Sequence, residues 1–256
     1  MTLALLVWLS GLAGIAAIHV VTTLCSRRRP AFVQRATQSI TDPLRTLLFG
    51  HQLSAQHYSF SDISPYFWVN GRPPKEESYL AMARDKFANY SLEVGGLIRR
   101  QLHLTLVDLR TMPKQTQITK HCCIQGWSGV AEWSGVSLSH IVGLCQPLPS
   151  ARYILFYAFD NKSTSEPHAQ GPGYFYATIR LELADDPQTI LAYEMNGEPL
   201  PILHGAPLRL RVETQLGFTM VKYIRAIEFI DDYKTIGKGQ GGWREDHQYF
   251  SQEAGI

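Results

Sequence analysis

Hydrophobic and polar positions change period several times along this chain, and each change predicts an element. Residues 3–25 run apolar, with no Lys, Arg, Asp or Glu. As a helix that stretch is long enough to cross a hydrocarbon core of ~30 Å. Arg27, Arg28 and Arg29 follow it directly. A cleaved signal peptide wants its positive charge before a shorter apolar core. The pattern therefore predicts one N-terminal transmembrane helix over residues 1–26. The paired arginines make no export signal, because no apolar core follows them. By the positive-inside rule, the chain beyond them sits on the cytoplasmic face of the membrane. The periplasmic face stays as the alternative, since so short an N-terminal tail offers little charge contrast.

Residues 31–50 place Phe32, Val33, Ala36, Ile40, Leu44, Leu47 and Leu48 at helical spacing. Asp42-Pro43 either interrupts that helix or starts a second one. The segment 27–54 reads as a juxtamembrane linker. Residues 63–74 read as a short strand with a turn at Asn70-Gly71, and 76–87 as a helix. Tyr90 to Val94 alternate as a strand that stops at Gly95-Gly96. Thr105 with Asp108 forms a capping box for a short helix that ends at Pro113. Gln115–Cys123 is strand-like, and a turn-rich segment follows with Gly126, Gly129 and Gly135 among Trp127 and Trp133. Ser137 caps a helix over Leu138–Leu144, closed by Pro147 and Pro149.

Arg152–Phe159 is rich in β-branched and aromatic residues and predicts a buried strand. Residues 161–173 are a polar loop. Tyr174–Leu183 alternates strictly, with Phe175, Ala177, Ile179 and Leu181 on one side. Ile190–Met195, Pro207–Val212 and Val221–Phe229 complete the strands, and the glycine-rich tail Gly237–Trp243 reads as a flexible loop. Strands and helices mix without a regular βαβ beat. The fold class is α+β with a mixed sheet, in one domain over 55–256.

Composition narrows the function. The 256 residues carry a net charge of +2, with 18% charged side chains. That balance lacks the basic stripe of a nucleic-acid-binding protein. Four cysteines, Cys25, Cys122, Cys123 and Cys145, make no disulfide framework in a chain of this length. Cys122 and Cys123 project to opposite faces of a strand, so they do not serve one metal together. The Cys-x₂₋₄-Cys spacing of zinc sites is absent. Gly126-Trp-Ser-Gly-Val130 lacks the final glycine of a nucleophile elbow. The glycine tail lacks the Gly-Lys-Ser/Thr order of a phosphate loop. A lone cysteine is most often a buried core thiol. One that follows a strand among glycines is also a candidate nucleophile or metal ligand, and Cys123 is that residue.

Several stretches, in order, carry a family resemblance. They are Asn89-Tyr-Ser-Leu-Glu-Val-Gly-Gly-Leu97, Cys123-Ile-Gln-Gly-Trp-Ser128, Leu191-Ala-Tyr-Glu-Met-Asn-Gly-Glu-Pro-Leu-Pro-Ile-Leu-His-Gly-Ala-Pro-Leu-Arg209 and Gly217-Phe-Thr-Met-Val-Lys222. Through most of 63–250 the chain resembles the molybdopterin-dependent oxidoreductases of the sulfite oxidase family. The resemblance implies a mixed α+β, sulfite-oxidase-type domain around a pyranopterin that chelates molybdenum through a dithiolene. It implies Cys123 as the protein's one metal ligand and the residue of catalysis. It places His204, Arg209 and Lys222 at the pterin and its terminal phosphate. Arg supplies a planar fork for phosphate oxygens and Lys a compact charge. Asn70 matches a cofactor-contacting Asn of relatives, Asp160 matches a site-lining position, and backbone groups from Thr219 to Val221 are expected at the phosphate.

Departures from the family pattern bear on substrate. Sulfite-oxidising members carry Cys-Ala-Gly-Asn-Arg-Arg from the ligand onward, whereas this chain carries Cys-Ile-Gln-Gly-Trp-Ser. The arginines that would hold a sulfite dianion are missing. The chain looks nearer the bacterial branch of methionine sulfoxide reductase catalytic subunits, although relatives there often carry Glu where Gln125 stands. The resemblance implies oxygen-atom transfer on a small sulfur-containing or other oxide substrate, with Trp127, Trp133 and Tyr174 shaping its approach. Neither Cys-x-x-Cys-His nor iron–sulfur spacing is present. Electrons must therefore pass to or from a separate partner, for which a haem-bearing or quinone-linked membrane protein is the natural choice. The dimerisation domain of animal and plant sulfite oxidases is missing, which predicts a monomer. The rival reading is a membrane-tethered interaction module that keeps the fold without turnover.

Overall fold

The structure, a computed structural model, describes residues 2–29, 32, 33, 36, 37, 41, 58–161 and 173–247, with side chains from residue 11 onward. Most of the helix expected over 31–50, and the loop expected over 161–173 apart from its ends, lie outside the described residues. The chain divides into a small N-terminal unit ending at Gln52 and a large unit starting at Leu53.

The small unit holds helix α1, Thr2–Arg28. Arg27 and Arg28 occupy its last turn, where cations complement the helix dipole. Thr22 and Thr23 turn their hydroxyls back onto the carbonyls of Ile18 and His19 at 2.7 and 2.8 Å, which leaves their outer surface apolar. Leu12, Ile15, Ile18, Val21 and Leu24 are all exposed. Among the described residues no helix is long and apolar enough to cross a membrane.

The large unit is built on two five-stranded sheets. The first runs β2 (Leu102–Thr105), β1 (Ser91–Gly96), β10 (Ile224–Ile230), β5 (Tyr153–Asn161), β6 (Tyr174–Arg180). Its β1–β10 pair is parallel and the others antiparallel, so the expected mixed sheet is present. The second runs β3 (Lys114–Cys122), β4 (Ser128–Ser137), β7 (Ile190–Met195). One end of β7 then pairs with β8 (Glu198–Pro199) and the other with β9 (Arg209–Arg211).

Burial on both faces explains why β5 reads as an unbroken apolar run. Ile154, Phe156 and Ala158 enter the main core with Leu92, Val94, Ile227, Phe229, Leu191 and Trp133. Leu155 and Tyr157 enter a second cluster with Tyr176, Ile230 and Ile236. Short helices close the edges: α2 (Glu77–Arg84), α3 (Leu106–Thr111) and α4 (Leu138–Cys145). The Thr105–Asp108 capping box is formed, and Ser137 caps α4.

The structure departs from the sequence pattern in four places. Residues 63–74 form no strand; they run as an irregular segment held by its contacts. Gly95 and Gly96 extend β1 instead of stopping it. A Cβ on Gly96 would come within 2.3 Å of the Phe229 carbonyl, so the glycine allows close pairing. The segment after Cys123 is strand β4 for ten residues, with its turn confined to 123–127. There Gly135 sits at a register shift against β7, where a Cβ would meet the Leu191 carbonyl at 2.0 Å. Finally, the glycine-rich tail is anchored. Thr178 donates its amide to Gly241 at 2.9 Å. The Asp246 carboxylate accepts the amides of Lys238 and Gln240 at 2.9 and 3.1 Å and also the Tyr176 hydroxyl.

That tail ends in helix α5, Trp243–His247, which inserts Glu245. The carboxyl is 5% exposed, and neither oxygen has a hydrogen-bond partner among the described residues. Burial, reinforced by Asp246 next to it, pushes Glu245 up to about 8. It is therefore mostly protonated in the folded protein at neutral pH. Because its folded value is raised, its stabilising contribution is full below its unfolded value and is lost as pH rises toward 8. Thermal unfolding followed between pH 5 and 8 is expected to fall more shallowly for Glu245→Gln than for wild type; parallel curves would contradict the buried, uncharged assignment.

Candidate active site

Strand alternation builds the site. Residues 119, 121 and 123 share one face of the β3 line, and Thr119, His121 and Cys123 are all buried there. The β3–β4 turn closes just beyond, where the Cys123 amide donates to the Trp127 carbonyl at 2.9 Å and the Gly126 amide to the Cys123 carbonyl at 3.1 Å. The turn leaves the Cys123 sulfur facing inward, 7% exposed as a residue. Two donors reach it. Asn70 Nδ2 lies 2.9 Å from Sγ and the Gln125 amide 3.3 Å. Cys122, on the opposite face, accepts the Gly217 amide at its carbonyl, 2.8 Å away.

Opposite this hairpin, β9 presents charge to the interior. Arg209 and Arg211 are 3% and 0% exposed. Arg211 grips Glu213 with a fork, Nε to Oε1 at 2.9 Å and Nη2 to Oε2 at 2.6 Å. Its Nη1 donates to His121 Nδ1 at 2.9 Å. Since arginine only donates, His121 carries its proton on Nε2. Burial first, then Arg211 and Arg209, lower the His121 pKa well below its ordinary value, so the ring is neutral. A Cβ on Gly217 would lie 2.2 Å from that ring; glycine is what lets the loop lie against it.

The two guanidiniums share the Trp133 ring, at 4.7 Å for Arg209 and 4.4 Å for Arg211. Such cation–π contacts contribute about 0.5–2 kcal/mol each and help hold two like charges together. Arg209 donates Nη1 to the His204 carbonyl at 2.9 Å. Its buried Nε has no hydrogen-bond partner among the described residues, and no carboxylate pairs with it there. Burial and Arg211 push Arg209 down to about 9, which leaves it cationic at neutral pH. Burial, Arg209 and Lys222 push His204 down to about 4. Lys222 Nζ donates to the Asn70 carbonyl at 2.5 Å and the Leu203 carbonyl at 3.1 Å.

Direct bonds thus link Cys123, Asn70 and Lys222 in one chain and His204 with Arg209 in another, and Lys222 joins the two through the Leu203 carbonyl next to His204. The Phe67 ring contacts His121, Trp127, Trp133 and His204 at 5.6–5.7 Å. Thr219 and Val221 lie in the turn beneath β9. Their amides donate to Leu216 and Thr219 carbonyls at 3.0 Å each, and the Met220 amide to Gly217 at 3.3 Å, so hydrogen bonds inside the turn already occupy all three. Asp160, near the end of β5, faces the Tyr223 phenol, whose pKa is raised by burial and by that carboxylate. Sequence reasoning missed Phe67, Arg211, Glu213 and the inward role of His121. The signal for His121 was its parity with Cys123. Pro207–Val212 reads simply as a strand, with nothing to mark Arg211 and Glu213 as interior, yet the fold buries both together with Arg209.

This arrangement suits an anionic, metal-bearing group. A buried thiol offers one soft ligand, and the orphaned Arg209 Nε, beside a neutral imidazole and an ammonium, suits phosphate. The family model described as oxidoreductase molybdopterin binding domain matches residues 79–236, and the chain belongs to that family, whose cofactor is molybdopterin with molybdenum. The fold and site thus define a molybdopterin-binding oxidoreductase domain of the sulfite oxidase family, as the sequence resemblance implied.

Individual proteins resemble the chain over part of their length. The chain is 33% identical over 162 residues to a putative protein-methionine-sulfoxide reductase subunit YedZ1 of Azospira oryzae, covering 63% of this chain and 55% of that one. It is 32% identical over 193 residues to the protein-methionine-sulfoxide reductase catalytic subunit MsrP of Xanthomonas axonopodis pv. citri, covering 71% and 58%. The sulfane dehydrogenase SoxCD of Paracoccus pantotrophus aligns in structure with a TM-score of 0.48 at 24% identity, over 57% of this chain and 39% of that one. The chain spans less than two thirds of the length of each of these proteins.

The buried ion pair under the site has a direct test. Arg211→Met leaves the Glu213 charge buried without its fork, which costs about 3–5 kcal/mol. Urea denaturation should show a loss of that size, with most of it recovered in the double variant Arg211→Met/Glu213→Leu.

Proposed function

We propose that this protein is an oxygen-atom-transfer oxidoreductase whose substrate is a sulfoxide, most directly a methionine sulfoxide carried in a protein chain. The observation that supports it is the inward Cys123 sulfur with two N–H donors, in a domain whose buried Arg209 Nε has no partner among the described residues. The relatives' names supply the sulfoxide, and the absence of the sulfite-binding arginines after Cys123 agrees with them. The small molecule expected from the sequence becomes, in this reading, one side chain of a larger substrate.

When bound, molybdopterin supplies two-electron oxygen-atom chemistry at its molybdenum. The chain's residues bind and orient it. Cys123 offers the protein's metal ligand. Arg209, His204 and Lys222 would hold the pterin and its phosphate, with Arg209 Nε as the unfilled donor. Asn70 and the Gln125 amide fix the sulfur. Phe67, Trp127 and Trp133 pack around the site and keep water from its inner wall, which strengthens each charge interaction inside. Asp160, Thr219 and Val221 support the wall through Tyr223 and the turn below β9.

A separate electron-transfer partner, a haem-bearing or quinone-linked membrane protein, completes the proposal, because the chain carries no spacing for haem or iron–sulfur attachment. Membrane anchoring by residues 1–26 belongs to it as well. Its support is the uncharged stretch 3–25 and the outward apolar side chains of α1, a pattern that suits lipid better than water. Arg27–Arg29 place the domain on the cytoplasmic face in this reading.

Metal content tests the centre of the proposal. Protein from a host that makes the pterin cofactor should contain about one molybdenum and one pterin per chain. It should also reduce methionine sulfoxide in a peptide with an artificial electron donor. Cys123→Ser should lower that turnover by at least 100-fold, the scale on which loss of a tuning ligand acts. No metal and no pterin in wild-type protein would refute the assignment.

A further inference from the structure

We propose that Asn70 is a positioning residue that orients the Cys123 sulfur and withdraws electron density from it. The inference rests on Cys123 as a molybdenum ligand and adds a role for a residue that the matched span, 79–236, does not include.

The segment that carries Asn70 has no regular secondary structure, yet three contacts fix its course. Ser64 exchanges bonds with β4, its amide donating to the Val130 carbonyl at 3.0 Å and its hydroxyl accepting the Val130 amide at 2.9 Å. Phe67 fills the space among His121, Trp127, Trp133 and His204. Lys222 then holds the Asn70 carbonyl at 2.5 Å, and the same ammonium holds the Leu203 carbonyl beside His204. An irregular segment ordered this closely places one amide group, and it places it 2.9 Å from Cys123 Sγ.

Donor chemistry sets the consequence. A sulfur that accepts N–H bonds gives less electron density to its metal, so the reduced metal is favoured and the potential rises. Hydrogen bonds to ligating sulfurs tune iron–sulfur potentials in this way, and partners behind a ligand shift activity or affinity by 10- to 100-fold. Cys123 has two such donors. The Gln125 amide belongs to the turn itself and is the longer, at 3.3 Å. Asn70 is the shorter and comes from 53 residues away, so it can be removed without altering the hairpin.

Asn70→Leu keeps nearly the same volume and removes the donor. Cofactor-loaded variant and wild-type protein are compared at equal molybdenum and pterin content. The two-electron midpoint potential should fall by about 30 mV, a tenfold change in the oxidised-to-reduced equilibrium. In cofactor-free protein, alkylation of Cys123 by iodoacetamide at neutral pH, read by peptide mass spectrometry against Cys145, should be several-fold slower in the variant, because the lost N–H no longer stabilises the attacking thiolate. Equal potentials at equal cofactor content, or equal alkylation rates, would overturn the proposal. The alkylation measurement also decides the matter if the variant fails to load cofactor. Wild-type protein without molybdenum would instead refute the cofactor reading, and the alkylation rates would still report on the Asn70–Cys123 bond.

Discussion

Two guanidiniums buried on one short strand set the terms for everything around them. Arg209 and Arg211 lie two residues apart on β9, both almost wholly out of water. An ion in a low-dielectric interior costs several kcal/mol unless partners compensate it. Glu213 compensates Arg211 with a two-point fork, and Trp133 lends its π face to both. The His204 carbonyl takes one N–H of Arg209. One carboxylate against two cations leaves excess positive charge inside, and burial first, then that charge, keeps both nearby histidines neutral. The interior is thus electrostatically prepared for an anion, and a phosphate-bearing cofactor is the kind of anion a planar guanidinium fork recognises.

The thiol side of the site depends on strand geometry. Because side chains alternate on β3, His121 and Cys123 share a face while Cys122 turns away. The same alternation buries Trp133 on β4, where its ring meets Phe67 edge-on. His121 then joins the two halves of the site, since it stands two residues before Cys123 and accepts a bond from Arg211. Phe67 covers the junction from a segment with no hydrogen-bonded ladder of its own. A site assembled from a hairpin turn, an irregular segment and a buried charged strand is rigid only because these parts fasten one another.

Much of the fold was readable from local pattern. Thr105–Asp108 and Ser137 announced their helices through cap chemistry, which needs only neighbours in sequence. The run Arg152–Phe159 announced a buried strand, which forms over Tyr153–Asn161. Readings failed where distant contacts overrule local preference. Glycines at 95, 96 and 135 read as breaks, yet they permit backbones to approach inside sheets. The glycine-rich tail read as loose, yet Asp246 gathers its amides. Residues 63–70 read as a strand, but their partners are side chains and a single pair with Val130.

For the site, the chain alone determined the one chemically distinctive thiol, Cys123, and the family motifs around it. Those motifs also carried His204, Arg209 and Lys222, because each sits in a short run whose order is itself the signal; Asn70 came from a separate match outside those runs. Tertiary structure decided what the charges do. Arg209 and Arg211 on β9, with Glu213 beyond it, carry no mark of burial in the sequence; the fold encloses all three and sets the Trp133 ring against both guanidiniums. Asn70 looks like a turn residue until Lys222 and Phe67 bring it to the sulfur. Burial and long-range partnership change the energy of a charge or a thiol by far more than its neighbours in sequence do, and those two quantities exist only in the folded chain.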